Sequence, residues 1–217
     1  MSHSVFFNIS ERELMSESQS PIDLTNPTPA DIGKIAFDYH QTPISIEDTG
    51  YTIQFHCKPG SSIEINGVCY ELQQFHFHVS SEHTVEGQYS AMEMHIVHVD
   101  KRDNFAVLGV MIESGEEDHK ELAAIWSHLL AVKEIERTVE PENINVVNLL
   151  PDNLNAYYRY RGSLTTPPYS ENVLWTIFAE PIIFSETQIA AFEDIYKDNF
   201  RAIQPLNGRE LLHNDDI

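Results

Sequence analysis

From Tyr51 onward, apolar and polar positions alternate with a period of two. "YTIQFHC", "SSIEIN" and "VCYELQQFHFHV" are broken by "KPG" and "NG", then followed by "SAMEMHIVHV" and "NFAVLGVMI". Alternation between turn signals predicts half-buried strands joined by tight connections. Upstream, "SPIDLTNPTPADIG" and "QTPISIEDTG" are dense in turn residues, with "KIAFDY" between them as a candidate short strand. The period changes in "DHKELAAIWSHLLAVKEI", where Leu122, Ile125, Trp126, Leu129 and Leu130 share one helical face. "SETQ" at Ser185 reads as a capping box opening a second helix, with Ile189, Phe192 and Tyr196 on its apolar side. The pattern predicts a mainly β protein with peripheral helices. No repeat, low-complexity tract or linker divides residues 1–217, so a single domain is expected.

The strand reading makes the histidines informative. Side chains on a strand alternate faces, so Gln74, His76 and His78 share one, provided no bulge intervenes. In the next strand Glu93, His95 and Val97 share another, and the connection is short enough for antiparallel neighbours. His76, His78 and His95 then converge, and three neutral imidazoles with an open fourth position suit zinc. Gln74 and Glu93, two residues before ligands, are placed to accept the second ring N–H. His98 falls on the opposite face and His83 behind the site, both as structural residues. His40, His56, His119, His128 and His213 carry no pattern and read as surface residues. Downstream, "YRGSLTTPPYSE" presents Thr165 and Thr166 on a loop stiffened by Pro167 and Pro168.

Charge narrows the partners. Lys and Arg number 13 against 34 Asp and Glu, a formal net charge of -21. A nucleic-acid backbone or an anionic membrane surface needs a basic face, so both are excluded as expected partners. The opening residues contain neither a basic n-region nor a long apolar run. The cytoplasm is therefore the expected location, which a trimmed export signal would overturn. Cys57 and Cys69 form no metal spacing and read as free thiols in strands, although one disulfide between them is conceivable.

The blocks "QSPIDL", "TGYTIQF", "QFHFHVSSEHTVEG", "MEMHIVH", "AVLGV", "YRGSLTTPPYSE" and "QPLNGR", in that order, resemble the α-class carbonic anhydrases across nearly the whole chain. Residues 1–18 match poorly. The resemblance implies a large twisted, mostly antiparallel sheet of about ten strands. It implies reversible hydration of carbon dioxide to bicarbonate by zinc-bound hydroxide, with His76, His78 and His95 as ligands. It casts Gln74, Glu93 and the Asn199 carbonyl as supports for those imidazoles, and Thr165 as a gatekeeper hydroxyl donating to Glu82. Thr166 would line the polar side of the cavity, and Val97, Val107, Leu164, Val173 and Trp175 the apolar wall. Tyr160 would join the nearby hydrogen-bond network.

Three departures qualify this picture. Tyr51 stands where the family's proton-relaying histidine is expected, and a phenol is a poor relay at neutral pH. The cysteine pair of exported bacterial members is missing, with Tyr169 at one position, which favours an intracellular home. The aromatic "HWGY"-type opening is also missing. A homodimer is compatible with the resemblance. Two alternatives stand beside it: a catalytically weak or inactive binding module of the same family, and a cupin, whose H-x-H-x3-E core "HFHVSSE" matches.

Overall fold

The computed structural model describes residues 17–123, 126 and 143–214. Among these, the main sheet has 13 strands. Its long path runs Asn143–Ile144, Thr42–Asp48, Ile53–Cys57, Val68–His78, Met92–Val99, Phe105–Gly115, Glu171–Phe178, Tyr157–Ser163, Leu212–Asn214 and Thr28–Pro29. Most pairings are antiparallel. Phe105–Gly115 instead runs parallel to both Glu171–Phe178 and Ile182–Ser185. Every alternating segment read from the sequence is a strand: Ile35–Asp38, Ile53–Cys57, Ser62–Ile65, Val68–His78, Met92–Val99 and Phe105–Gly115. Among the described residues no helix is long and apolar enough to cross a membrane.

The sheet separates two clusters. One contains Phe55, Phe75, Phe77, Met94, Ile96 and Leu108; the other contains Val97, Val107, Tyr160, Val173, Trp175 and Ile177. Phe55 and Phe75 stack across strands with centroids 4.7 Å apart. Alternation therefore aims Gln74, His76 and His78 at the second side. A bulge lies just before them, since Val97 opposes Gln74 while His98 opposes Leu72. The extra residue, Gln73, lets both Leu72 and Phe75 enter the first core despite their odd spacing. Gln74–His78 itself pairs in regular register with Glu93–Val97.

The helix at Ser185 spans Glu186–Glu193 and has the expected box: Ser185 Oγ accepts from Gln188 N, and Gln188 Oε1 accepts from Ser185 N. Phe192 and Tyr196 are buried, whereas Ile189 is only half-buried. Residues 120–123 and 126 are helical, with Leu122 and Trp126 buried and the Trp126 indole donating to Gln188 O at 2.7 Å. Ile125, Leu129, Leu130 and His128 lie outside the described residues.

"QTPISIEDTG" is mostly strand rather than turn. Thr42–Asp48 pairs with Ile53–Cys57, and the buried Thr42 and Ile44 supply the apolar alternation. Pro43, which has no N–H to donate, sits on the outer strands opposite Asn143. The turn is confined to the residues after Asp48, where Gly50 takes φ +75 and donates to Asp48 Oδ1 at 2.8 Å.

His98 is buried on the first core face, 2.6 Å from the Tyr39 hydroxyl. Burial lowers its pKa to about 3, though carbonyls at Ala106 and Ile96 favour the charged form. An unfolded histidine titrates near 6.5. Between those values only the unfolded chain takes up the proton, so stability is full above about pH 6.5 and falls as pH drops toward 3. On going from pH 7 to pH 5, His98→Gln should lose less stability than the parent, by on the order of 2 kcal/mol. Urea unfolding at the two pH values measures this, and identical losses would remove His98 from the account. His119 and His213, expected at the surface, are instead half-buried, with the His213 ring stacked on Tyr158 at 4.4 Å.

Candidate active site and metal centre

Register lays two rows across the second face of the sheet. One runs Glu47–Gln54–His76–His95–Gly109. The other runs His56–Gln74–Val97–Val107–Trp175–Tyr160. The first is polar over the ligand positions, and the second becomes apolar beyond Gln74. Together they floor a cavity of about 710 Å³ lined also by Tyr51, Leu164, Thr165, Thr166, Tyr169, Phe200 and Arg201.

Each imidazole has one ring nitrogen fixed from behind. His76 Nδ1 donates to Gln74 Oε1 at 2.9 Å, and His78 Nδ1 donates to Asn199 O at 2.7 Å. His95 Nε2 donates to Glu93 Oε1 at 3.0 Å. Amide oxygens and carboxylates accept here, so these assignments leave lone pairs on His76 Nε2, His78 Nε2 and His95 Nδ1. One nitrogen from each ring lies within 4.8 Å of the others. His78 Nε2 is buried without a hydrogen-bond partner, a costly arrangement for a polar atom. Burial holds all three imidazoles below the usual histidine range, His78 at about 4, and so keeps them neutral. Three neutral nitrogen donors facing one another, one of them buried and unpartnered, fit a zinc ion.

A second histidine–carboxylate group, His83, Glu93 and His95, is internally satisfied. Glu93 Oε1 accepts from His83 Nδ1 and His95 Nε2, while Glu93 Oε2 accepts the backbone N–H groups of Glu82 and His83. Burial alone would raise the Glu93 pKa, but the facing His83 and His95 hold it well below the carboxylate range. His83 Nε2 lies 2.7 Å from the Tyr160 hydroxyl, which bonds Ser20 Oγ at 2.8 Å. Gly109 sits opposite His95, and a Cβ there would come 2.9 Å from Glu93 Oε1 and 3.1 Å from Ile177 Cγ1. With Glu93 held by four donors, Gly109→Ala should destabilise the fold by roughly 1–3 kcal/mol and weaken zinc retention. Urea midpoints and bound zinc after dialysis check this; a neutral substitution would mean that Glu93 can yield.

Glu82 is fully buried, with Oε2 3.6 Å from His78 Nε2 and 3.8 Å from His95 Nδ1. Burial pushes its carboxyl up to about 7, against the pull of His95, the Thr165 hydroxyl and the Arg201 backbone N–H. That N–H donates to Oε1 at 2.7 Å. Thr165 is buried, while Thr166 is exposed at the rim. Val97, Val107, Leu164 and Trp175 line the apolar side. Val173 packs behind them rather than on the lining. Tyr51 lines the mouth, and burial, then Glu82 and Tyr169, raise its phenol to about 12. Gln54, Phe105 and Phe200 were not singled out by sequence; alternation along "TIQFH" and "NFAV" places the first two. Arg201 acts on Glu82 through its backbone, which no side-chain pattern reveals.

A sequence model of the eukaryotic-type carbonic anhydrase family matches residues 8–215. The chain belongs to the carbonic anhydrase family. A carbonic anhydrase of Nostoc sp. is 37% identical over 203 residues, covering 91% of this chain and 76% of the relative. The solved α-carbonic anhydrase of Thermovibrio ammonificans with sulfanilamide superposes at TM-score 0.85 and 36% identity, covering 94% of this chain and 91% of that one. Dioscorin complexed with ascorbate superposes at TM-score 0.86 and 25% identity, over 94% and 88% of the two chains. The cupin reading falls with this membership, and the H-x-H-x3-E spacing is coincidental. Both cysteines of this carbonic anhydrase are free, Cys57 half-buried and Cys69 exposed.

Proposed function

We propose that this protein catalyses the zinc-dependent, reversible hydration of carbon dioxide to bicarbonate and a proton. The observation that carries this reading is the meeting of three inward-facing imidazole lone pairs with the Thr165 side chain and an apolar wall in one cavity, the buried Glu82 standing behind it against His78 and His95. A zinc ion held by His76, His78 and His95 would act as a Lewis acid that acidifies a coordinated water, the effect for which carbonic anhydrases are the type case, and its charge would favour the carboxylate form of Glu82.

The chain's own residues do the orienting. An ionised Glu82 can only accept, so the single Thr165 proton goes to it. The Thr165 oxygen then offers only lone pairs to the cavity and accepts from the attacking water or hydroxide. That turns a lone pair of the attacking oxygen toward the wall formed by Val97, Val107, Leu164 and Trp175. Carbon dioxide, apolar and uncharged, rests on that wall without competing for the imidazole nitrogens. Gln74, Glu93 and Asn199 lock the imidazole tautomers, so no reorganisation is needed during attack.

A second reading, a binding module without turnover, draws on the close superposition with dioscorin. The presence of all three imidazoles together with Glu82 and Thr165 favours catalysis. Zinc stoichiometry combined with stopped-flow hydration decides between them. One zinc per chain with rapid hydration is expected; a zinc-loaded protein without hydration would support the binding module.

A further inference from the structure

Hydration releases one proton per turnover, so the cavity must pass a proton outward. Among the described residues no carboxyl lines the cavity, and the titratable ones that do are the three imidazoles, Tyr51, Tyr169 and Arg201. The imidazole nitrogens are committed, and the Arg201 guanidinium lies over the Tyr169 ring at 3.8 Å. Tyr51, with its phenol raised to about 12, holds its proton at neutral pH. The described lining residues therefore supply orientation but no base free to take the proton.

Such a base stands one strand outward on the same face. In Ile53–Cys57, Phe55 points into the core, so Gln54 and His56 point to the cavity side. Gln54 opposes His76, and His56 opposes Gln74. His56 is thus a diagonal neighbour of His76, about 7–8 Å away between backbones, with the amides of Gln54 and Gln74 between. Its Nε2 lies 2.6 Å from Glu47 Oε2, and Glu47 opposes Gln54 from the next strand. The two side chains are 40% and 59% exposed, so bulk solvent reaches them, and they stand just outside the lining residues Gln54 and Gln74. A carboxylate only accepts, so Nε2 carries the hydrogen and Nδ1 presents a lone pair. That lone pair can accept a proton and later release it to solvent.

We propose that His56, oriented by Glu47, is the base that takes the reaction's proton at the cavity rim; this rests on the hydration reading above. At the rim, an O–H bond of a water breaks and an Nδ1–H bond forms. The deficit passes inward along cavity water to the reacting water. The imidazolium, charge-balanced by Glu47, then returns its proton to bulk water or a buffer base, restoring the neutral ring.

Two measurements on the zinc-loaded protein test this. In weak buffer, His56→Ala and His56→Gln should each lower kcat by at least about tenfold while kcat/KM, which reports the hydration step, holds. Imidazole buffers should restore kcat. In ring 15N spectra, neutral His56 should show the Nε2–H tautomer in the parent and a tautomer mixture in Glu47→Ala. Unchanged kcat in weak buffer for both variants, or an Nδ1–H tautomer in the parent, overturns the proposal. A parent that hydrates no carbon dioxide at any buffer concentration defeats the hydration reading, and this inference with it.

Discussion

Replacing His95 with alanine is expected to remove zinc retention and hydration together. His95 is the one ligand candidate contributed by Met92–Val99, so its loss leaves two imidazoles from a single strand. Two nitrogens from one strand cannot close a tetrahedral site. The effect should exceed the 10–100-fold weakening that loss of a supporting hydrogen bond causes. Gln74→Ala, which removes only the acceptor behind His76, supplies that smaller reference. Zinc per chain after dialysis, and the rise in Tm on adding zinc, read the loss directly, because a ligand that binds only the folded state raises its stability. Full zinc occupancy in His95→Ala would sink the ligand assignment.

The three imidazoles were legible in the sequence because strand periodicity is a local property and a two-residue spacing survives folding. Their supports were legible to different degrees. Gln74 and Glu93 lie on the same strands and faces as His76 and His95, so alternation finds them. Asn199 supports His78 from 121 positions away through its carbonyl, and every residue type offers the same carbonyl; only family resemblance could place it. Glu82 is similar, since its position depends on the path of the chain after His78 and on the Arg201 N–H. The bulge at Gln73 was invisible because it shows only in pairing with a second strand. The strand Thr42–Asp48 was obscured by Pro43 and by the true turn beginning at Asp48, although Thr42 and Ile44 carry the alternation. Val173 illustrates the limit of family resemblance for an apolar wall. It pairs across the sheet with Gly162 and joins the same cluster as Val97 and Trp175, yet packs one layer behind the lining.

Thr165→Ala should leave zinc in place and remove most of the hydration rate. The side chain supplies none of the three inward-facing nitrogens, so metal retention has no reason to change. Its loop is held by backbone hydrogen bonds that the substitution does not touch, Leu164 N to Ser170 O and Tyr169 N to Thr166 O, each 2.9 Å. What disappears is the link between Glu82 and the attacking oxygen. Glu82 keeps the Arg201 N–H but loses the neighbouring Thr165 hydroxyl, and under the proposed mechanism the cavity loses the acceptor that aims a lone pair at carbon dioxide. One such interaction in a preorganised site is worth on the order of 3 kcal/mol, or about 10²-fold in kcat/KM. Thr165→Ser keeps the hydroxyl and should recover much of the rate, which separates hydrogen bonding from loop packing. Glu82→Gln probes the same link from the other end: an amide can donate to Thr165, which permits the hydroxyl to point its own proton at the attacking oxygen. A loss comparable to that of Thr165→Ala is expected there, with the two losses far from additive because both break one chain of hydrogen bonds. Stopped-flow hydration with parallel zinc analysis measures all three variants. If Thr165→Ala matched the parent in kcat/KM at equal zinc content, orientation by this pair would have no part in the reaction.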